Sequence, residues 1–66
     1  MKIKVNGKDE FAAEGISLGD FLKSKDLDPR AVVVELNLGV IPKEDYTHCV
    51  LKECDCLEIV RFVGGG

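Results

Sequence analysis

Polar and apolar positions alternate through Lys2-Ile3-Lys4-Val5, the two-residue period of a half-buried strand. Asn6-Gly7 follows, a pair that tolerates the positive φ angles of a tight hairpin turn. The chain is then expected to return as a second strand over residues 8–12, with Phe11 as its core residue. Glu14-Gly15-Ile16 reads as a connector, after which the period changes. Leu18, Phe21 and Leu22 have the i, i+3, i+4 spacing of one helical face. Ser17 is placed to cap that helix with its hydroxyl, and Asp20 puts a carboxylate near its positive end. The pattern predicts a helix over residues 18–25, with Leu27 packing just after it and Asp28-Pro29 ending it.

β-branched residues dominate the next stretch, Val32-Val33-Val34-Glu35-Leu36, which predicts a strand. Alternation turns Val32, Val34 and Leu36 inward and Val33 and Glu35 outward. Asn37-Leu38-Gly39 reads as a turn, Val40-Ile41 as a short strand, and residues 42–46 as one helical turn with Tyr46 at the edge of the core. A short strand at residues 49–51 and a turn at residues 52–55 lead into a last strand at 57–63. There Leu57 and Ile59 face inward, and Glu58, Val60 and Phe62 outward. One helix and several strands in so short a chain predict an α+β fold, with the helix packed across one face of a mixed sheet of four to five strands. With the most apolar strand, the last, at the centre and parallel to the first, this is a β-grasp, the ubiquitin-like fold.

Sixty-six residues suit one small domain, burying roughly 60% of the surface its unfolded chain would expose. That leaves little room for a catalytic cleft. Neither internal repeats nor linker composition divide the chain. A net charge of −3, with the basic residues scattered, disfavours nucleic acid as a partner, because phosphate binding needs clustered Lys and Arg. No stretch approaches the ~20 apolar residues of a membrane span, and the alternating start is unlike a signal peptide, so no membrane association and a cytoplasmic location are expected. An odd number of cysteines, three, fits reduced thiols better than a disulfide framework.

Those cysteines, Cys49, Cys54 and Cys56, have the spacing C-x4-C-x-C. A structural zinc site takes four ligands. His48 is a poor fourth ligand, because neighbours on a strand point to opposite faces. No metal site is expected, and His48 is read as a surface strand residue. An iron–sulfur ferredoxin centre needs four cysteines in another spacing. No nucleophile–base pair or phosphate-binding glycine loop is apparent either.

The sequence closes on Val63-Gly64-Gly65-Gly66. Residues 1–63 form the expected domain, and residues 64–66 a flexible tail reaching about 10 Å beyond it. Three residues without side chains make a filament thin enough to enter a narrow channel and carry the Gly66 carboxylate to a reacting centre elsewhere. Beside it, the outward residues Val60, Phe62 and Glu58, with Val33 and Glu35 of the neighbouring strand, form an expected partner surface with an apolar centre.

Taken together, the Asn6-Gly7 hairpin, the segment from Val32 to Asn37, Ile41-Pro42-Lys43-Glu44-Asp45-Tyr46 and the ending from Glu58 to Gly66 resemble the ThiS-type sulfur carriers of thiamin biosynthesis over essentially the whole chain. In that family the middle block is Val-Pro-Arg, then acidic or amide residues and an aromatic. Ile41, Lys43 and Tyr46 are conservative equivalents. The family commonly has Asp-Gly-Asp before the last strand; here the triplet is Glu53-Cys54-Asp55.

The resemblance implies a carrier, not an enzyme. An E1-like, ThiF-type adenylyltransferase would consume ATP to adenylate the Gly66 carboxylate. Sulfur from a desulfurase or another persulfide would then displace AMP, leaving a thiocarboxylate for a ThiG-type thiazole synthase. Gly65 would give clearance at the carbonyl and Gly64 a hinge. No cofactor would be bound, and a monomer is expected. A carrier like the small subunit of molybdopterin synthase and a ubiquitin-like modifier or binding module are the alternative readings.

Overall fold

The computed structural model describes residues 1–62. The expectations for Val63 and for the tail, Gly64, Gly65 and Gly66, lie outside the described residues.

Strand β1 (Lys2–Val5) turns through Asn6 and Gly7, at φ 50° and 83°, into β2 (Lys8–Phe11). Helix α1 (Leu18–Ser24) follows, then β3 (Val32–Leu36), β4 (Gly39–Val40) and β5 (Cys56–Arg61). The sheet order is β2-β1-β5-β3-β4. β5 is central, parallel to β1 and antiparallel to β3, with Val5 beside Leu57 and Val34 beside Ile59. One helix against a mixed five-stranded sheet of this order is the β-grasp.

The core lies between α1 and one sheet face. Ile3, Leu18, Phe21, Leu22, Val32, Val34, Tyr46, Leu51 and Leu57 are buried there, with Leu27, Leu36 and Ile59 packed at its margin. Two asparagines hold the central strand at its sides. Asn6 donates its Nδ2 to the Ile59 carbonyl (3.2 Å) and accepts the Ile59 N–H at Oδ1 (2.7 Å). Asn37 accepts the Cys56 N–H (3.0 Å) and donates to the Asp55 carboxylate (3.1 Å). That carboxylate also accepts the Lys52 N–H at 2.7 Å, so Asp55, the one buried charged residue among the described residues, is satisfied by donors.

The structure differs from the sequence reading at several places. Phe11 is not a core residue but 81% exposed. The two-residue turn pairs Val5 with Lys8 and therefore Lys2 with Phe11, which puts Phe11 on the helix-free face with the lysine. Tyr46 lies within the core, not at its edge. No strand forms at residues 49–51; a single bridge joins Ser17 and Val50. The carbonyls of this region serve the start of α1 instead: Leu18 N–H donates to Cys49 (2.7 Å) and Gly19 N–H to Tyr46 (2.9 Å). A Cβ on Gly19 would lie 3.4 Å from that Tyr46 oxygen, so glycine permits the close approach. His48 is accordingly on an exposed turn, and Cys49 is half-buried outside any strand.

Helix α1 stops at Ser24, before Asp28-Pro29 is reached. Asp26 takes φ 59°, and the N–H groups of Asp26 and Leu27 close back on Lys23 and Leu22 (3.0 and 2.9 Å), the left-handed ending of a Schellman motif. Asp28 instead begins a 3₁₀ turn, Pro29–Ala31, and accepts the Arg30 N–H at 2.9 Å. Between β3 and β4 the turn is Asn37-Leu38 alone (φ 50° and 75°), so Gly39 already belongs to β4. A second 3₁₀ turn spans Lys43–Asp45. Cys54 adopts φ 70°, so a cysteine takes a left-handed turn position that glycine would hold without a Cβ penalty. β5 ends at Arg61, after which Phe62 N–H donates to Ala31 at 2.9 Å. Among the described residues no helix is long and apolar enough to cross a membrane.

Candidate functional site: the open sheet face and the end of the central strand

Alternation along β5 buries Leu57 and half-buries Ile59 against the helix, so Cys56, Glu58 and Val60 emerge on the opposite face, with Phe62 just beyond. Val60 is 60% and Phe62 57% exposed, unusual for side chains of that size beside a core. The β3 register sets Val33 beside Val60 and Glu35 beside Glu58. The five residues expected to form a partner surface thus share one face.

The alternation signal did not reveal three other members of the face. Val40 lies opposite Glu35 and is 63% exposed. Phe11 is on the same sheet face but at its opposite end, paired with Lys2 on the outer strand, and Lys43 reaches over from its 3₁₀ turn. The Lys43 ammonium donates to the Val32 carbonyl at 2.7 Å and stands 5.7 Å from the centre of the Phe62 ring. The cue for Phe11 was the turn register, which could be counted along the sequence. Lys43 had no local cue, because its partners are 11 and 19 residues away.

Glu35 and Glu58 are cross-strand neighbours of like charge, and among the described residues neither has a cationic side chain within ion-pair distance. Such a pair disfavours the isolated sheet slightly and favours whatever brings positive charge to it.

Among the described residues no three His, Cys, Asp or Glu side chains are grouped as metal ligands would be. Cys54 sits in the turn, and Cys56 starts β5 with its Sγ 4.0 Å from the Cys54 carbonyl. Cys49 stands apart in chemistry. Burial, reinforced by the Asp55 and Asp45 carboxylates and opposed by Lys52, pushes its thiol pKa up, which makes it a poor nucleophile. Cys56 begins the strand whose far end leads to the tail. Five steps of ~3.3 Å separate Cys56 from Arg61 at the other end of β5.

The ThiS family model matches residues 2–66. The chain is 40% identical over 65 residues to the sulfur carrier protein ThiS of Bacillus subtilis, covering 97% of this chain and 98% of that protein. It is 36% identical over 66 residues to a thiazole synthase of Paramagnetospirillum magneticum, matching all of this chain but spanning only 20% of that relative's length. In structure it is similar over the full length of both chains to the thiamine biosynthesis protein (ThiS) of Geobacter metallireducens, with a TM-score of 0.85 and 32% identity. A β-grasp with an exposed apolar face along its central strand, matched end to end by these relatives, has one conclusion: the chain belongs to the ThiS family.

Proposed function

We infer that the chain is a sulfur carrier of thiamine biosynthesis, acting through the carboxylate of Gly66. The observation that supports this most is its similarity to the Bacillus carrier over almost the whole of both chains. A carboxylate has no adequate leaving group. Attack of its oxygen on the α-phosphorus of ATP, with release of pyrophosphate, supplies one as AMP. The terminal sulfur of a persulfide attacks the carbonyl and displaces AMP, giving an acyl disulfide; a second thiol then cleaves the S–S bond, leaving the thiocarboxylate and a disulfide on the sulfur donor. The carrier turns nothing over; it is a co-substrate of a ThiF-type adenylyltransferase and then of a thiazole synthase, working as a monomer in the cytoplasm with no cofactor of its own.

The geometry gives that reading a division of labour. The core and the two asparagine clasps fix β5, whose Glu58 and Val60, with Phe62 just beyond and Val33 and Glu35 of β3 beside them, are the residues offered for docking. Gly64, Gly65 and Gly66 continue from that strand in the sequence. Docking and chemistry are therefore separable. Carrier-dependent ATP–pyrophosphate exchange with the adenylyltransferase tests both. Deleting Gly66 keeps a glycyl carboxylate but shortens the reach by about 3.5 Å; it should suppress exchange severely while circular dichroism stays unchanged, because reactivity depends on placement. Val60→Asp should weaken binding and leave the fold intact. Exchange at the wild-type rate by the shortened chain would overturn the assignment of the chemistry to Gly66. Intact mass of the protein from its own cells separates the alternatives: a carrier shows an oxygen-to-sulfur exchanged fraction, and a modifier appears attached to larger proteins.

A further inference from the structure

We propose that Lys43 is a positioning residue for the end of β5, holding the Phe62 ring in the orientation that the adenylating partner engages. The proposal rests on the carrier reading above and adds to it a residue outside the tail that, among the described residues, forms no ion pair.

Beyond its short pairing with β4, one edge of β3 is left open. Ile41 N–H donates to the Val34 carbonyl at 3.0 Å, the last backbone rung on that side. The next carbonyl on that edge is Val32, two residues back, because alternate residues of a strand direct their hydrogen bonds to the same side. The residue in register with Val32 is Lys43, but there the chain has left the strand for the 3₁₀ turn Lys43–Asp45, and no backbone hydrogen bond forms between the two. The missing rung is supplied by side chains. The Lys43 ammonium donates to the Val32 oxygen at 2.7 Å, and the Tyr46 hydroxyl approaches it at 3.4 Å. A lysine tied in this way has lost the freedom a surface lysine ordinarily keeps.

The tethered ammonium lies 5.7 Å from the centroid of the Phe62 ring, inside the ~6 Å range in which a cation is attracted to an aromatic face. Among the described residues no carboxylate pairs with Lys43, although Glu44 and Asp45 are its immediate neighbours in sequence. A carbonyl and a ring, and no counter-charge, are therefore its partners. Phe62 is consequently held at two points, by its backbone N–H on Ala31 at 2.9 Å and by its ring on Lys43. It remains 57% exposed, so the ring is available to a partner while its orientation is restricted. Restricting a docking side chain before it binds lowers the ordering cost of association. Because the bound ground state and the transition state both benefit, the effect belongs in KM and not in kcat.

The test is carrier-dependent ATP–pyrophosphate exchange with the ThiF-type enzyme, with proton NMR of the free carrier. Lys43→Met, which keeps the length and loses the charge, should raise KM for the carrier about two- to fivefold, the range of an exposed cation–π contact, with kcat within about twofold. Lys43→Arg should restore KM, since a guanidinium can meet both the carbonyl and the ring. In a Phe62→Leu background, Lys43→Met should have no further effect on KM. In the free wild-type protein, ring current should move the Lys43 ε-methylene protons upfield, and Phe62→Leu should abolish that shift. An equal KM penalty with and without the ring would overturn the proposal by showing that Lys43 meets the partner directly. So would lower thermal stability with no change in KM, or ε-methylene protons at the position of a free lysine. If the wild-type chain supports no exchange, the carrier reading fails and the role of Lys43 fails with it; wild-type exchange with an indifferent Lys43→Met removes the Lys43 role alone.

Discussion

The Asn6 clasp carries a prediction about stability that turn chemistry alone would get backwards. Asn6 and Gly7 both occupy the left-handed region, and glycine is the residue that adopts it without a Cβ penalty. On local grounds Asn6→Gly should be neutral or mildly stabilising: relief of ~1 kcal/mol in the turn against ~0.5–1 kcal/mol of extra freedom in the unfolded chain. The tertiary structure adds two hydrogen bonds between the Asn6 amide and the Ile59 backbone, at 2.7 and 3.2 Å, which glycine cannot make. Each contributes a net ~0.5–1.5 kcal/mol, towards the lower end here because the site is exposed to water. The expected loss is therefore about 1–2 kcal/mol, or roughly 5–15 °C in Tm for a domain of this size. Urea denaturation of Asn6→Gly should show a lower midpoint at unchanged slope, and hydrogen exchange at the Ile59 amide should accelerate. Asn6→Asp keeps the acceptor for the Ile59 N–H but sets a carboxylate against the Ile59 carbonyl, so it should also be destabilised. A wild-type midpoint and a protected Ile59 amide in Asn6→Gly would refute the clasp.

The strained turn residues should respond the other way. Leu38→Gly and Cys54→Gly relieve φ angles of 75° and 70° and break no side-chain hydrogen bond of importance, so each should stabilise by about 0.5–1 kcal/mol, read as a raised urea midpoint; a lowered midpoint in both would sink that expectation. Burial raises the Tyr46 pKa above its ordinary value, a backbone hydrogen bond opposing, so the unfolded chain loses this proton first as pH rises. The folded state's advantage is full below the unfolded tyrosine value and declines as pH climbs through it towards the folded one. Tyr46→Phe should flatten that alkaline decline, and an identical slope in both proteins would contradict the assignment. Iodoacetamide near neutral pH should label exposed Cys54 and Cys56 well before half-buried Cys49, whose thiol is held protonated; peptide mass mapping with equal rates at all three would count against it.

Periodicity was enough wherever one residue's neighbours along the chain settle its environment. The alternation of β3 and β5 predicts which residues share the open face, because a strand has only two sides. The Ser17 cap was legible for a similar reason: the bond it makes, to Asp20 N–H at 3.0 Å, is three residues long. The fold class followed from one helix being too little to cover both faces of a sheet. The residues misread were those whose environment is set from a distance. Phe11 looks like a core residue by hydrophobicity, yet the register imposed by a two-residue turn carries it to the other face. Residues 49–51 look like a strand by composition, but their region's carbonyls are taken by the start of α1.

Helix α1, the strands β1, β3 and β5 and the alternation that exposes Val60 were therefore readable from residue type and short-range spacing. How the central strand is held and how Phe62 is placed depend instead on contacts between distant segments. Asn6 reaches Ile59 across 53 residues, Asn37 reaches Cys56 across 19, and Lys43 reaches Val32 across 11 and Phe62 from the opposite side. These side chains complete hydrogen bonds and contacts that neighbouring backbone does not supply. Which backbone groups want partners is knowable only once the strands have been set side by side.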